Sequence, residues 1–217
     1  MISPLLNMTL KGAIWYQGES NAGRAYEYQT LFPAMIRNWR QDWGQGDFPF
    51  YFVQLAPFMA IQKEPQEAAW PELREAQRLT TLNTPNTGQA VITDVGDERD
   101  IHPRKKREVG ERLAQLALRH DYDMDVVPQG PTFKSITIRG DRAVIEFGHV
   151  GSGLDARGGA LTGFTIAGAD RKWYNATAEI RGNRVVVSSP QVSRPVAVRY
   201  GWWNYPVVNL FNKEGLP

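Results

Sequence analysis

The 217-residue sequence predicts an α/β fold in two parts, a helix-covered parallel sheet over residues 1–125 and an antiparallel β-sandwich over 126–217. Three observations carry that expectation. Strand-like and helix-like patterns alternate through the first part, the order that builds a parallel sheet in a layered arrangement. Beyond about Asp125 the helical periodicity gives way to short alternating runs between turn residues, as in a sandwich. No internal repeat or low-complexity tract interrupts either part.

Lys11–Tyr16 reads as a buried strand that ends in a polar loop. Tyr28, Leu31, Phe32, Met35, Ile36 and Trp39 then recur at helical spacing, and Pro33 places the start of that helix near Phe32, with the proline in its first turn. Phe50–Leu55, bounded by Pro49 and Pro57, is the second strand. Pro71 opens a helix through Leu73, Ala76, Leu79 and Leu82, closed by Asn83-Thr84-Pro85. Gln89–Thr93 is the third strand, and Pro103 starts a third helix with Val109, Leu113, Leu116 and Ala117 on one face. In a parallel sheet of this kind, ligand sites lie beyond the C-terminal ends of the strands.

The sandwich strands are expected at Ser135–Arg139, Ala143–Phe147, Gly163–Ile166, Thr177–Ile180, Arg184–Ser188 and Ala197–Tyr200. Arg139-Gly140-Asp141, Gly158-Gly159 and Arg181-Gly182-Asn183 supply turns between them.

Composition narrows the function classes. Apolar residues make up 42% and charged residues 22%, enough to bury a core. A net charge of +2 gives no strong field for nucleic acid or membrane. The one basic cluster, Arg104–Arg107, runs straight into Glu108 and Glu111 and reads as a solvated helix start. The absence of cysteine removes disulfides, thiolate zinc sites and cysteine nucleophiles. No apolar run approaches the roughly 20 residues that cross a bilayer, and no secretory signal is visible. Seven tryptophans and eight tyrosines are a large supply of faces that could stack on sugar rings, though most such residues fill cores.

Two loops carry candidate chemistry. In Trp15–Ala22, Gly18 lets backbone approach a ligand closely, while Gln17 and Asn21 bring amide donors suited to a developing oxyanion. The same residues also suit a plain turn or helix cap. In Asp94–Pro103, three aspartates precede His102, and a neighbouring carboxylate could orient its imidazole as a general base. The competing readings are a solvated acidic loop with a surface histidine, or an oxygen-ligand site for calcium or magnesium. His120, at a helix end, and His149, in the sandwich, read as structural.

At these loops the sequence resembles the sialate O-acetylesterase family, a branch of the SGNH (GDSL-like) hydrolases. Trp15-Tyr16-Gln17-Gly18-Glu19-Ser20-Asn21 and Asp100-Ile101-His102-Pro103 with Lys106, Glu108, Val109 and Gly110 carry the likeness. Phe52–Ala56, Leu73–Gln77, Gly163–Gly168 and Asn209–Pro217 extend it over nearly the whole chain. The resemblance implies a partial SGNH-type three-layer domain and hydrolysis of acetyl esters on sugars through a Ser/His/Asp acyl-enzyme. His102 would be the base, Asp100 its orienting carboxylate, and Gln17, Gly18, Glu19 and Asn21 the oxyanion or substrate contacts. It implies an acetylated carbohydrate as partner, no nucleic acid or membrane, no cofactor or metal, and a periplasmic or extracellular location.

The chain departs from the family pattern at two places. Relatives often hold aspartate three residues before the histidine; here Arg99 stands there, with Asp100 two before and Asp97 as fallback. The family's serine lies in a Gly-Gln-Ser-Asn-Met type segment that this sequence does not contain, and Ser20 is the substitute nucleophile nearest the motif. The sequence therefore reads as the C-terminal part of a longer enzyme, in which the Ile14 strand would be a bare edge that self-associates or receives a missing segment. The alternative is an inactive fragment or a carbohydrate-binding module.

Overall fold

The computed structural model describes residues 2–217. Strand β1 (Ala13–Trp15), helix α1 (Ala25–Trp43), strand β2 (Phe50–Val53), helix α2 (Ala69–Asn83), strand β3 (Thr87–Ala90) and helix α3 (Lys106–Asp121) follow one another. The strands form a parallel sheet in the order β1-β2-β3, with Trp15 beside Phe52 and Val53 beside Ala90. By clustering of contacts the chain divides into two compact units. The first comprises residues 2–55, 72–91 and 105–128; the second comprises 56–71, 92–104 and 129–217.

In the first unit the period-two alternation of β2 sorts its side chains to two helices. Phe50 and Phe52 meet α1, where Phe32 lies edge-on to Phe52 at 4.9 Å and Trp39 edge-on to Phe50 at 5.9 Å. Tyr51 points to α3 and donates its hydroxyl to Asp121 at 2.7 Å. Gly88 belongs to the same face: a side chain there would collide with Tyr51 and Leu116. The result is the expected layering of helix, parallel sheet and helix.

Helix α1 starts seven residues before Phe32, with Pro33 buried inside it. The expected start at Phe32 gave the proline too much weight. It removes one hydrogen bond, but the apolar face it interrupts contributes more, because Tyr28, Phe32 and Ile36 are all buried. Gly44, left-handed at φ 62°, ends the helix by donating to Arg40 O at 3.1 Å. Leu31 and Leu82, expected on buried faces, are 58% and 66% exposed. Pro103 does not open α3, which begins at Lys106. Strand β3 lies earlier than expected because the chain leaves the sheet at Ala90 and turns, Val95 N donating to Ile92 O.

The second unit adds antiparallel sheets. Strands β4 (Thr132–Arg139), β5 (Arg142–Gly148), β6 (Leu154–Ala156), β7 (Phe164–Ala167), β8 (Trp173–Asn175), β9 (Thr177–Arg181), β10 (Arg184–Ser188), β11 (Ala197–Tyr200) and β12 (Leu210–Asn212) make sheets ordered β4-β5-β10-β9, β11-β7-β8 and β12-β6. One core joins them, built on Ile145, Val185 and Val187 from the first sheet, Phe164 and Ile166 from the second, and Leu154 and Leu210 from the third. Gly140 and Gly182, at φ 62° and 61°, turn the β4–β5 and β9–β10 hairpins. The three-residue strands β6, β8 and β12 were not expected, being too short to show alternation.

Candidate functional site

The turn after β1 lies in the first unit. Gly18 has φ 153°, a conformation that side chains rarely adopt, and a Cβ there would stand 2.9 Å from Leu73 Cδ2 and 3.3 Å from Leu55 Cδ2. Glycine is therefore required twice over, by conformation and by space. Beyond it a 3-10 turn spans Glu19–Arg24, with Asn21 N donating to Gly18 O at 2.8 Å.

The Gln17 side chain is held at both ends. Its Nε2 donates to Asn21 Oδ1 at 2.7 Å, and its Oε1 accepts from the Tyr28 hydroxyl at 3.2 Å. Because Asn21 Oδ1 is taken, the amide nitrogen of Asn21 is the donor left over, and among the described residues it has no acceptor. Burial pushes the Tyr28 phenol up to about 12, with the negative charge of Glu19 adding to it, so Tyr28 stays a donor across the neutral range. Tyr16 is likewise raised to about 12 by burial and then by Glu19, and the Lys106 ammonium stands 4.9 Å over its ring.

The residue that ties this turn to the sheet is Gln77 of α2, 1% exposed. Its Nε2 donates to Gln17 O and to Val53 O, both at 3.3 Å, and its Oε1 accepts from Leu55 N at 3.0 Å. Three backbone groups at the ends of β1 and β2 thus share one amide. Gln77 is not among the site residues expected from the sequence. The signal lay in its spacing, four residues after Leu73 on the apolar face of a helix, where a polar side chain needs partners.

The histidine loop, residues 92–104, lies in the second unit. Asp97 Oδ1 caps it locally, accepting from Arg99 N at 2.8 Å and Asp100 N at 3.2 Å. Asp100 Oδ1 accepts from His102 N at 2.8 Å and stands 3.8 Å from His102 Nδ1. The carboxylate is hydrogen-bonded to the backbone of the histidine and lies only electrostatically near its ring. The His102 side chain is 86% exposed and that of Asp100 45%. Asp97, the fallback carboxylate, is engaged with backbone amides. Ser20 is exposed and makes no hydrogen bond among the described residues.

The structure thus gathers Gln17, Gly18 and Asn21 around Gln77 and Tyr28 in one unit, and Asp97, Asp100 and His102 in the other. His149 Nδ1 pairs with the Thr132 hydroxyl at 2.8 Å, away from both loops in sequence. Among the described residues no group of three or more acidic or histidine side chains could hold a metal ion, and no helix is long and apolar enough to cross a membrane.

Comparison with known proteins fits this picture. The profile of the family described as carbohydrate esterase, sialic acid-specific acetylesterase, matches residues 2–119. Sialate O-acetylesterase of Mus musculus is 34% identical over 229 aligned positions, which cover 95% of this chain and 42% of the mouse protein. The Homo sapiens protein of that name is 29% identical, over 95% of this chain and 43% of its own length. The chain therefore spans less than half of the curated relatives it matches. A crystal structure of a carbohydrate acetylesterase from Xanthomonas citri superposes on 99% of the chain with a TM-score of 0.92 and 48% identity, covering 50% of that protein. The resemblance first seen in the two loops thus holds across sequence and fold, and the chain belongs to the sialic acid-specific acetylesterase family of carbohydrate esterases.

Proposed function

We propose that this chain supplies the base and the oxyanion side of an O-acetylesterase acting on acetylated sugars. The observation that carries the reading is the unengaged Asn21 amide beside Gly18, fixed by Gln17, in a family of carbohydrate esterases. In the mechanism, His102 takes the proton of an attacking alcohol through Nε2, since Nδ1 is the ring nitrogen near Asp100. The alcohol oxygen bonds to the acetyl carbon, and negative charge moves onto the carbonyl oxygen. Asn21 Nδ2, with the backbone at Gly18, stabilises that charge, while Gln17 and Glu19 shape the turn around the substrate. Collapse of the intermediate breaks the bond to the sugar oxygen, which leaves with the proton from His102. Water then repeats the sequence on the acyl-enzyme and releases acetate. Ser20 is the chain's own candidate for the attacking alcohol, and neither a metal nor a cofactor enters any step.

Turnover of p-nitrophenyl acetate and acetylated sugars tests this. His102→Ala should abolish it, and Asn21→Ala should lower kcat about 100-fold. Turnover retained in His102→Ala removes the base assignment. Loss in Ser20→Ala would identify the nucleophile. A second reading, a chain that binds sugar without hydrolysing it, is favoured by one observation: the His102 ring is exposed and engages no hydroxyl among the described residues. Glycan binding with no turnover would establish that reading instead.

A further inference from the structure

The histidine loop has no helix or strand between Ile92 and Lys105, and its own hydrogen bonds are short-range turns. Such a segment needs an external frame if one side chain on it is to keep a fixed place. Within the second unit that frame is visible. Ile61 N, in the loop after β2, donates to Glu98 Oε1 at 2.9 Å, four residues before His102. Gly96 lies so close to Pro57 that a Cβ would collide with its carbonyl oxygen, and Tyr205 donates to Gly96 O at 3.4 Å.

The loop after β2 is held in turn by the segment that follows β11. Asn204 Nδ2 donates to Met59 Sδ at 3.3 Å and Asn204 O accepts from Phe58 N at 3.3 Å, while Asn204 Oδ1 accepts from Trp70 N, at the start of α2 where the loop ends, at 3.2 Å. Trp203 Nε1 donates to Glu64 O at 3.1 Å. The Arg199 guanidinium grips Glu67 through two bonds of 2.9 and 3.3 Å, and stacks 4.1 Å over Trp173 and 4.5 Å over Trp202. Bidentate pairing and stacking together restrict that arginine far more than a lone surface pair would.

We propose that Glu98 and Asn204 are positioning residues for His102: the antiparallel unit holds the loop after β2, and that loop holds the histidine loop in one conformation through Glu98. The catalytic consequence rests on the esterase reading, but the ordering of the loop does not. Amide hydrogen exchange on the full chain therefore decides the proposal. In Glu98→Ala and in Asn204→Ala, the amides of residues 95–102 should exchange about tenfold faster, with β2 and β3 unchanged. Glu98→Gln, which keeps the acceptor oxygen, should restore the parent rates. In the esterase assay, kcat should fall about tenfold in Glu98→Ala with KM within about twofold, and recover in Glu98→Gln. Unchanged exchange in both alanine variants, or no recovery in Glu98→Gln, overturns the proposal. Turnover surviving in His102→Ala instead removes the base assignment and leaves the exchange result standing.

Discussion

Replacing Gln77 with leucine is the sharpest test of how the Gln17 turn is held. The side chains are close in size, so the change removes three hydrogen bonds with little change of volume. The Leu55 amide is the costliest loss. It is buried with its residue, and an unsatisfied buried donor costs roughly 1–3 kcal/mol. The two 3.3 Å bonds to Gln17 O and Val53 O are longer and add about 0.5–1 kcal/mol each. The leucine itself returns some burial energy, leaving a net loss of about 2–4 kcal/mol. That is a large share of the roughly 5–15 kcal/mol that holds a typical domain. Urea unfolding followed by circular dichroism at 222 nm reads it, because α1, α3 and most of α2 belong to the first unit. Asn21→Ala is the control, since Asn21 is only half-buried, and should cost under about 1 kcal/mol. A loss below about 1 kcal/mol in Gln77→Leu would refute the view that this amide ties the turn to the sheet.

Other perturbations follow from the same geometry. Arg40 donates to Phe48 O twice, at 2.7 and 3.1 Å, and to Pro85 O and Asn86 O at 2.9 Å each, so Arg40→Met should cost about 2–4 kcal/mol in the same urea assay. Its pair with Asp47 at 3.5 Å contributes little, because that carboxylate is exposed, and Asp47→Asn should be nearly silent. Tyr28 is raised to about 12 from an unfolded value of 10, so between those values the unfolded chain has lost a proton that the folded one keeps. Stability present below pH 10 should fall as pH rises toward 12, by up to about 2–3 kcal/mol, and Tyr28→Phe should flatten that decline in alkaline denaturation. Ile14 is 71% exposed on β1, an edge of the parallel sheet, so light scattering should show self-association that Ile14→Lys reverses; a monomeric parent chain would contradict this.

The parallel sheet was legible because Phe50–Val53 and Lys11–Tyr16 are short apolar runs between turn residues, with helical spacing between them. What misled was punctuation. Pro33 was given the weight of a helix start, whereas its missing donor is one bond against a buried face of three large residues. Leu82 sits one residue from the end of α2, where its direction carries it past the packed face. The glycine at position 18 was legible as a close approach, and its crowding by Leu55, Leu73 and Gln77 gives that approach a cause. Gln77 was not legible, because a single polar residue in an amphipathic helix looks the same whether it is solvated or buried. Its partners lie 22, 24 and 60 residues away, and only the packed fold brings them together.

The two loops are held in place by different physics, and that difference predicts how each fails. The Gln17 turn hangs on buried groups, Gln77 and Tyr28, whose hydrogen bonds are strengthened by exclusion of water and whose loss leaves orphaned amides in the core. Damage there is paid in global stability. The histidine loop hangs on the exposed carboxylates of Asp97 and Glu98 and the half-buried one of Asp100, accepting from backbone amides that water can also satisfy. Each such bond is worth little to folding, yet on the proposed positioning they would together set where the His102 imidazole stands. Variants of the acidic residues should therefore leave the urea midpoint almost unmoved while loosening the loop, and variants of Gln77 should do the reverse. On the roles proposed for His102 and Asn21, the base would stand on the weakly held loop and the oxyanion donor on the strongly held turn, which puts rigidity where charge would develop and where electrostatic catalysis needs preorganisation.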